Sequence, residues 1–216
     1  MEKLQRETYR YLGYRNSQPD ENVKTVVDSC LEELQQVSRP QFLWRSFPLC
    51  QLSENDLDLC CFQVHSKDLG KNLSGCSQVI LFVATLGIGP DQQIQKYSRL
   101  ETSRAVILQA AAAALIESIC DEKNEELRRL YEKQGYFLRP RYSPGYGDFS
   151  IAHQKDLLDA LQAGKFAGIT LTEGYLMMPS KSVTAVIGVS STPCHYSSTS
   201  KDCESCAQHA CMYRRN

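Results

Sequence analysis

Strands and helices come in blocks along this sequence, without the regular β–α alternation that a parallel sheet requires. That order constrains the chain more than any other feature. It points to an α+β fold with a largely antiparallel sheet. Residues 3–12 read as a short helix closed by Gly13. Pro19, Asp20 and Glu21 then start a second helix, whose apolar positions Val23, Val26, Val27, Cys30, Leu31, Leu34 and Val37 repeat at helical spacing as far as Pro40. Residues 41–48 look extended and hold the sole tryptophan, Trp44. Residues 57–65 read as a strand apolar on both faces, hence central, and Gln78–Thr85 as a second buried strand. A short helix is expected over 67–73, and a long one from Glu101 to about Gln134. Ala105, Leu108, Ala112, Leu115, Ile116, Ile119, Cys120 and Leu127 carry the long helix's apolar face, and Ala110–Ala114 is unbroken alanine. A further helix over 152–164, with Leu157, Leu158 and Leu161 inward, should end at Gly164. Strands over 169–178 and 182–190 read as a hairpin joined by Pro179-Ser180-Lys181.

With 216 residues, 24 basic and 25 acidic, the chain has room for one domain, or a domain and an appendage, and lacks the basic footprint of a nucleic-acid binder. The apolar strand-like run 79–86 is too short for a bilayer, and the N-terminus has no hydrophobic signal region, so the expected place is the cytosol, away from membranes. Ten cysteines are many for such a protein. Cys30, Cys50, Cys60, Cys61, Cys76 and Cys120 sit mostly in apolar segments and read as buried thiols. Cys194, Cys203, Cys206 and Cys211 crowd the C-terminal end, where a reducing compartment favours metal over disulfides.

Chemistry concentrates in Arg139–Gly147, R-P-R-Y-S-P-G-Y-G. Pro144 and Gly145 should make Ser143–Tyr146 a tight turn that presents backbone groups, with Arg141 beside it as a planar cation for a carboxylate. The same residues also describe an ordinary surface loop. Glu117, on the apolar stretch beside Ile116, needs a partner or a task. Gly87-Ile88-Gly89-Pro90 is a strand-to-helix turn: no third glycine follows, so it is no dinucleotide fingerprint, and no Gly-Lys-Ser/Thr follows, so it is no P-loop. No serine or cysteine sits in a nucleophile elbow, and His65 and His153 read as structural.

The pair R-x-x-P-G-Y (Arg141–Tyr146) and L-T-E-G-Y-L-M-M-P-S-K-S-V (Leu171–Val183) resembles the activation domain of cobalamin-dependent methionine synthase. The whole chain, over about residues 5–190, looks like the free-standing versions of that domain. Tyr11-Leu12-Gly13-Tyr14, Ala84-Thr85-Leu86-Gly87 and the segment Ile116–Glu122 belong to the same likeness. The resemblance implies a single curved α+β unit around a bent antiparallel sheet, flanked by helices. It implies S-adenosylmethionine binding and capping of the cobalamin module of a methionine synthase without its own activation domain. There, a one-electron donor such as flavodoxin or a ferredoxin-like protein and a methyl group restore methylcobalamin from the oxidised Co(II) form. It assigns Arg141 to the methionine carboxylate and Ser143, Gly145 and Tyr146 to the ligand turn, with Glu117 at the α-amino group. Glu173 lies in the second motif without a ligand role. The fused domain's N-terminal acid has no identifiable counterpart. The other reading is a corrinoid-protein adaptor or electron-transfer partner that uses no S-adenosylmethionine.

The expected organisation is therefore an activation-domain-like unit over 1–190 and a cysteine-rich tail over 191–216. Four thiolates at Cys194, Cys203, Cys206 and Cys211 suit Zn(II) or a 4Fe–4S cluster, the latter placing an electron source beside the cap; His195 and His209 are alternative ligands.

Overall fold

The computed structural model describes residues 2–14 and 17–193. In chain order the helices are α1 (Glu2–Tyr11), α2 (Glu21–Val37), α3 (Lys67–Asn72), α4 (Gly89–Leu100), α5 (Thr102–Glu132), α6 (His153–Ala160) and α7 (Ala163–Ala167). The strands are β1 (Gln41–Pro48), β2 (Cys50–Gln51), β3 (Asp56–Asp58), β4 (Gln63–His65), β5 (Gln78–Thr85), β6 (Phe137–Leu138), β7 (Thr170–Leu171), β8 (Met177–Met178) and β9 (Ser182–Ser190). The main sheet runs β1-β5-β9-β6, every neighbour antiparallel, and it is not closed.

Strand periodicity divides the core in two. Ile80, Phe82 and Ala84 of β5, with Ala185, Ile187 and Val189 of β9, face α2 and α5. Val79, Leu81 and Val83, with Val186, face the other way, onto β3, β4, α3, α6 and α7. Residues of β5 and β9 thus bury both faces, which is why they read as near-continuous apolar runs. Helix α2 starts as its sequence dictates: Asp20 caps it, accepting from the Val23 N–H at 2.8 Å. By length and composition α5 would pass as a membrane span, yet its buried residues, Leu108, Ala112 and Ile116 among them, pack into the first core.

Three expectations need correction. Residues 57–65 do not form one central strand. Cys60 adopts φ +69° and turns the chain, so β3 and β4 are a hairpin in a three-stranded side sheet, β2-β3-β4. Cys60 and Cys61 are consequently exposed, as is Cys50 in β2, and Cys76 is only partly buried; Cys30 and Cys120 are buried as expected. Residues 169–178 are not a partner for β9. The Thr172 N–H donates to Leu176 O and folds the segment on itself as the β7–β8 pair, and β9 pairs with β5 and β6 instead. The helix over 152–164 stops at Ala160, breaks at Gln162 (φ +51°), and resumes as α7, which Gly168 ends, so Gly164 lies inside a helix. The Cys194, Cys203, Cys206 and Cys211 site lies outside the described residues.

Candidate functional site

The segment after α5 runs along the outer edge of β9. Phe137 and Leu138 pair with Ser190 and Val189, the Arg139 N–H donates to Gly188 O at 2.8 Å, and Tyr142 exchanges two bonds with Val186. From Leu138 to Tyr142 the segment takes four steps while β9, from Val189 to Val186, takes three. The additional residue, next to Pro140, is a β-bulge. In an unbroken strand Arg139 and Arg141 would point the same way. Here Arg139 reaches Ser74 O at 3.0 Å, and its Cγ lies where a side chain on Gly188 would sit. Arg141 turns to the opposite face and meets α5.

Arg141 Nη2 donates to Asp121 Oδ1 at 2.7 Å, with Glu117 Oε2 at 3.5 Å. Glu117 and Asp121 are four apart and share a face of α5. The guanidinium carbon stands 5.9 Å from the centre of the Phe82 ring, which floors the site. Arg141 Nη1 is buried and has no acceptor among the described residues. The neighbouring Cys120 thiol is pushed up to about 12, chiefly by burial, against the opposing field of Arg141. Lys3 and Glu7 of α1 close the outer side, leaving with Ala114, Glu117 and Asp121 a cleft of about 50 Å³. One or two waters would fill that volume. A larger ligand must part α1 from α5 or re-aim Arg141.

The turn itself is built as the sequence predicts. The Tyr146 N–H donates to Ser143 O at 3.2 Å, Gly145 N–H to Phe149 O at 2.8 Å, and Phe149 N–H to Tyr146 O at 3.0 Å. Gly145 needs φ +92°, and Gly147, at φ +52°, sits where a Cβ would collide with the Asp68 carboxylate and the Tyr142 hydroxyl. Pro144 is buried while Tyr146 is 67% exposed, so its ring is open to a partner. Beneath the turn, rings stack in a column from Tyr142 through Phe149 and His153 to Phe62.

Asp148 ties the far end of the loop down. It accepts from Ser66 Oγ–H at 2.5 Å and from the Lys67 and Asp68 N–H groups, at 2.8 and 3.1 Å. These bonds, that of Ser66 foremost, hold its carboxyl below the usual carboxylate range. A folded pKa below the unfolded one adds stability that is complete above about pH 4 and fades as pH falls through the lower, folded value. Asp148→Asn should therefore flatten the loss of stability below pH 4, seen in denaturant melts at pH 3 and pH 6. It should also speed amide exchange at Lys67 and Asp68. Unchanged exchange there would show the tether is idle.

A larger cavity, about 680 Å³, lies elsewhere, lined by Leu158, Lys165, Ile169, Thr172, Glu173 and Tyr175 among others. Its floor residues Leu158 and Ile169 belong to the core on the other face of the sheet from α5, so it is separate from Arg141. Glu173 is exposed on its wall, in the turn between β7 and β8.

The structure thus brings Arg141 to Glu117 and sets Ser143, Gly145 and Tyr146 on the adjoining turn. Arg139 is anchored to Ser74, as a structural residue would be. Sequence reasoning missed Asp121; its i, i+4 spacing from Glu117 was the available signal. Phe82 and Asp148 were also missed. Among the described residues no group of three or more metal-ligating side chains occurs.

The crystal structure of the MetH reactivation domain bound to AdoHcy shares this fold, with a TM-score of 0.64 at 15% identity, over 92% of this chain and 81% of that one. Among curated proteins, none matches the chain. The family described as "Vitamin B12 dependent methionine synthase, activation domain" matches residues 67–210, from α3 through the Arg141 loop and past β9. With two thirds of its length matched, the chain belongs to the activation-domain family of vitamin B12-dependent methionine synthase.

Proposed function

We propose that this chain binds S-adenosylmethionine and serves as the reactivation component for the cobalamin module of a methionine synthase. The observation that carries the reading is Arg141, bulged out of the β9 edge onto two acids of α5. Its guanidinium suits the carboxylate of the methionine moiety and Glu117 its ammonium group. The residues fit such a ligand: a buried Nη1 lacks an acceptor, and the turn at Ser143, Gly145 and Tyr146 offers backbone groups and an exposed ring. Cobalamin, held by the partner, supplies the metal-centred methyl and electron chemistry. This chain binds the methyl donor, orients it and shields it from water.

Arg141→Ala should weaken S-adenosylmethionine binding about tenfold or more, the worth of a charged hydrogen-bond pair, with the fold retained by circular dichroism. Calorimetry reads it. No binding to the wild-type chain, alone or with the partner's cobalamin module, would remove the reading.

One observation favours a second reading, an adaptor that uses no methyl donor: Arg141 is already engaged by Asp121, as a structural arginine would be. That reading predicts cobalamin-module binding indifferent both to Arg141→Ala and to S-adenosylmethionine. An electron source at Cys194, Cys203, Cys206 and Cys211 would serve either reading. Iron with acid-labile sulfide in anaerobically purified protein supports a cluster, and stoichiometric zinc without iron replaces it with a structural clip.

A further inference from the structure

We propose that Asp121 acts as an internal substitute for the ligand carboxylate, holding Arg141 closed so that an incoming α-carboxylate must displace it. The inference rests on the reading of Arg141 as the carboxylate site. Three observations carry it.

Asp121 Oδ1, at 2.7 Å, is the nearest acceptor to Arg141, and Glu117 at 3.5 Å is a longer contact. The carboxylate doing the holding therefore has the chemistry of the group the site is meant to receive. Secondly, the clasp is incomplete. Asp121 engages one nitrogen, Nη2, while Nη1 is buried with no acceptor among the described residues. A buried donor left unpaired is unfavourable, and a carboxylate binding both ends of the fork would relieve it. Thirdly, two acids, Glu117 and Asp121, face the one guanidinium, whereas Glu7 of the neighbouring cleft is already paired with Arg10 at 2.7 Å.

The consequence is selectivity. A plain carboxylate or phosphate would replace Asp121 only to lie beside Glu117, and like charges disfavour that. A ligand that brings its own cation, such as an amino-acid ammonium or a sulfonium, answers both acids while its carboxylate takes the arginine. The site thus admits zwitterions and cations that carry a carboxylate and turns away simple anions. The side chains of Arg141 and Asp121 are 21% and 41% exposed, so the clasp is weak enough to be displaced.

The test uses the full chain, wild type and Asp121→Asn, with Asp121→Ala as the second variant should the amide re-form the contact. Arg141 is labelled with phenylglyoxal and followed by peptide mass spectrometry, and S-adenosylmethionine and acetate binding are measured by calorimetry. Without Asp121, labelling should run roughly three- to tenfold faster, S-adenosylmethionine should bind tighter by a similar factor, and acetate should gain a detectable affinity. Equal labelling in all three proteins overturns the clasp, whether or not the ligand binds. Weaker S-adenosylmethionine binding in both variants also overturns it, making Asp121 a ligand contact rather than a competitor. Faster labelling with no S-adenosylmethionine bound by any of the three upholds the clasp and instead removes the methyl-donor reading.

Discussion

Phe82→Ala is expected to lower stability by about 3–5 kcal/mol, the range for emptying a buried phenylalanine site. Phe82 is 1% exposed in the middle of β5, a strand bonded along both edges, so the backbone around it has little room to collapse into the void. Its ring meets Phe42 of β1 at 5.5 Å and lies within the core formed with α2 and α5. Urea melts should show a lower midpoint with an unchanged slope. A loss under 1 kcal/mol would mean that the ring contributes little to the core. The same substitution removes the floor under Arg141, so S-adenosylmethionine affinity should fall in the folded protein too. Phe82→Leu separates the two effects: most of the volume remains, with a stability loss nearer 1 kcal/mol, while the cation–π contact is gone.

Phe149→Ala should cost a similar amount, about 3–5 kcal/mol, on the opposite face of the sheet. Phe149 is 1% exposed and packs between Tyr142, at 6.3 Å between centroids, and His153, at 5.4 Å. Its carbonyl also accepts from Gly145, so the side chain fixes a residue that closes the turn. Amide exchange should quicken across residues 143–149 while α5 keeps its protection. The reverse pattern is expected for Phe82→Ala. Identical exchange maps for the two variants would refute the division of the core into two faces.

The two cores were readable in part. Gln78–Thr85 was legible because it is apolar throughout and has no competing turn residue, and Asp20 marked the start of α2 through its own capping chemistry. Failures came where an apolar run concealed a turn. Nothing in Leu59-Cys60-Cys61-Phe62 advertises a left-handed residue, because cysteine has no preference for one; the hairpin is imposed by tertiary pairing. Tyr175, at φ +60° in the turn of the β7–β8 pair, is the same problem, although Gly174 beside it gave a hint. For the site, the turn at Ser143–Tyr146 was legible in its proline and glycine, and Glu117 in its awkward position on an apolar stretch. That Arg141 and not Arg139 faces α5 depends on the bulge at Pro140, a property of pairing with β9. No local pattern encodes it.

That bulged segment has a further consequence, for the solubility of the chain. β9 is rich in β-branched residues, Val183, Thr184, Val186, Ile187 and Val189, and β6 covers only two residues of its outer edge. Arg139 and Tyr142 bond the next stretch, at Gly188 and Val186, so the Arg141 loop also serves as edge protection for the sheet. Whatever frees the loop bares backbone groups along a strand well suited to pairing with another copy of itself. A ligand that grips Arg141 would then act as an anti-aggregant, lengthening the time the protein stays monodisperse on warming.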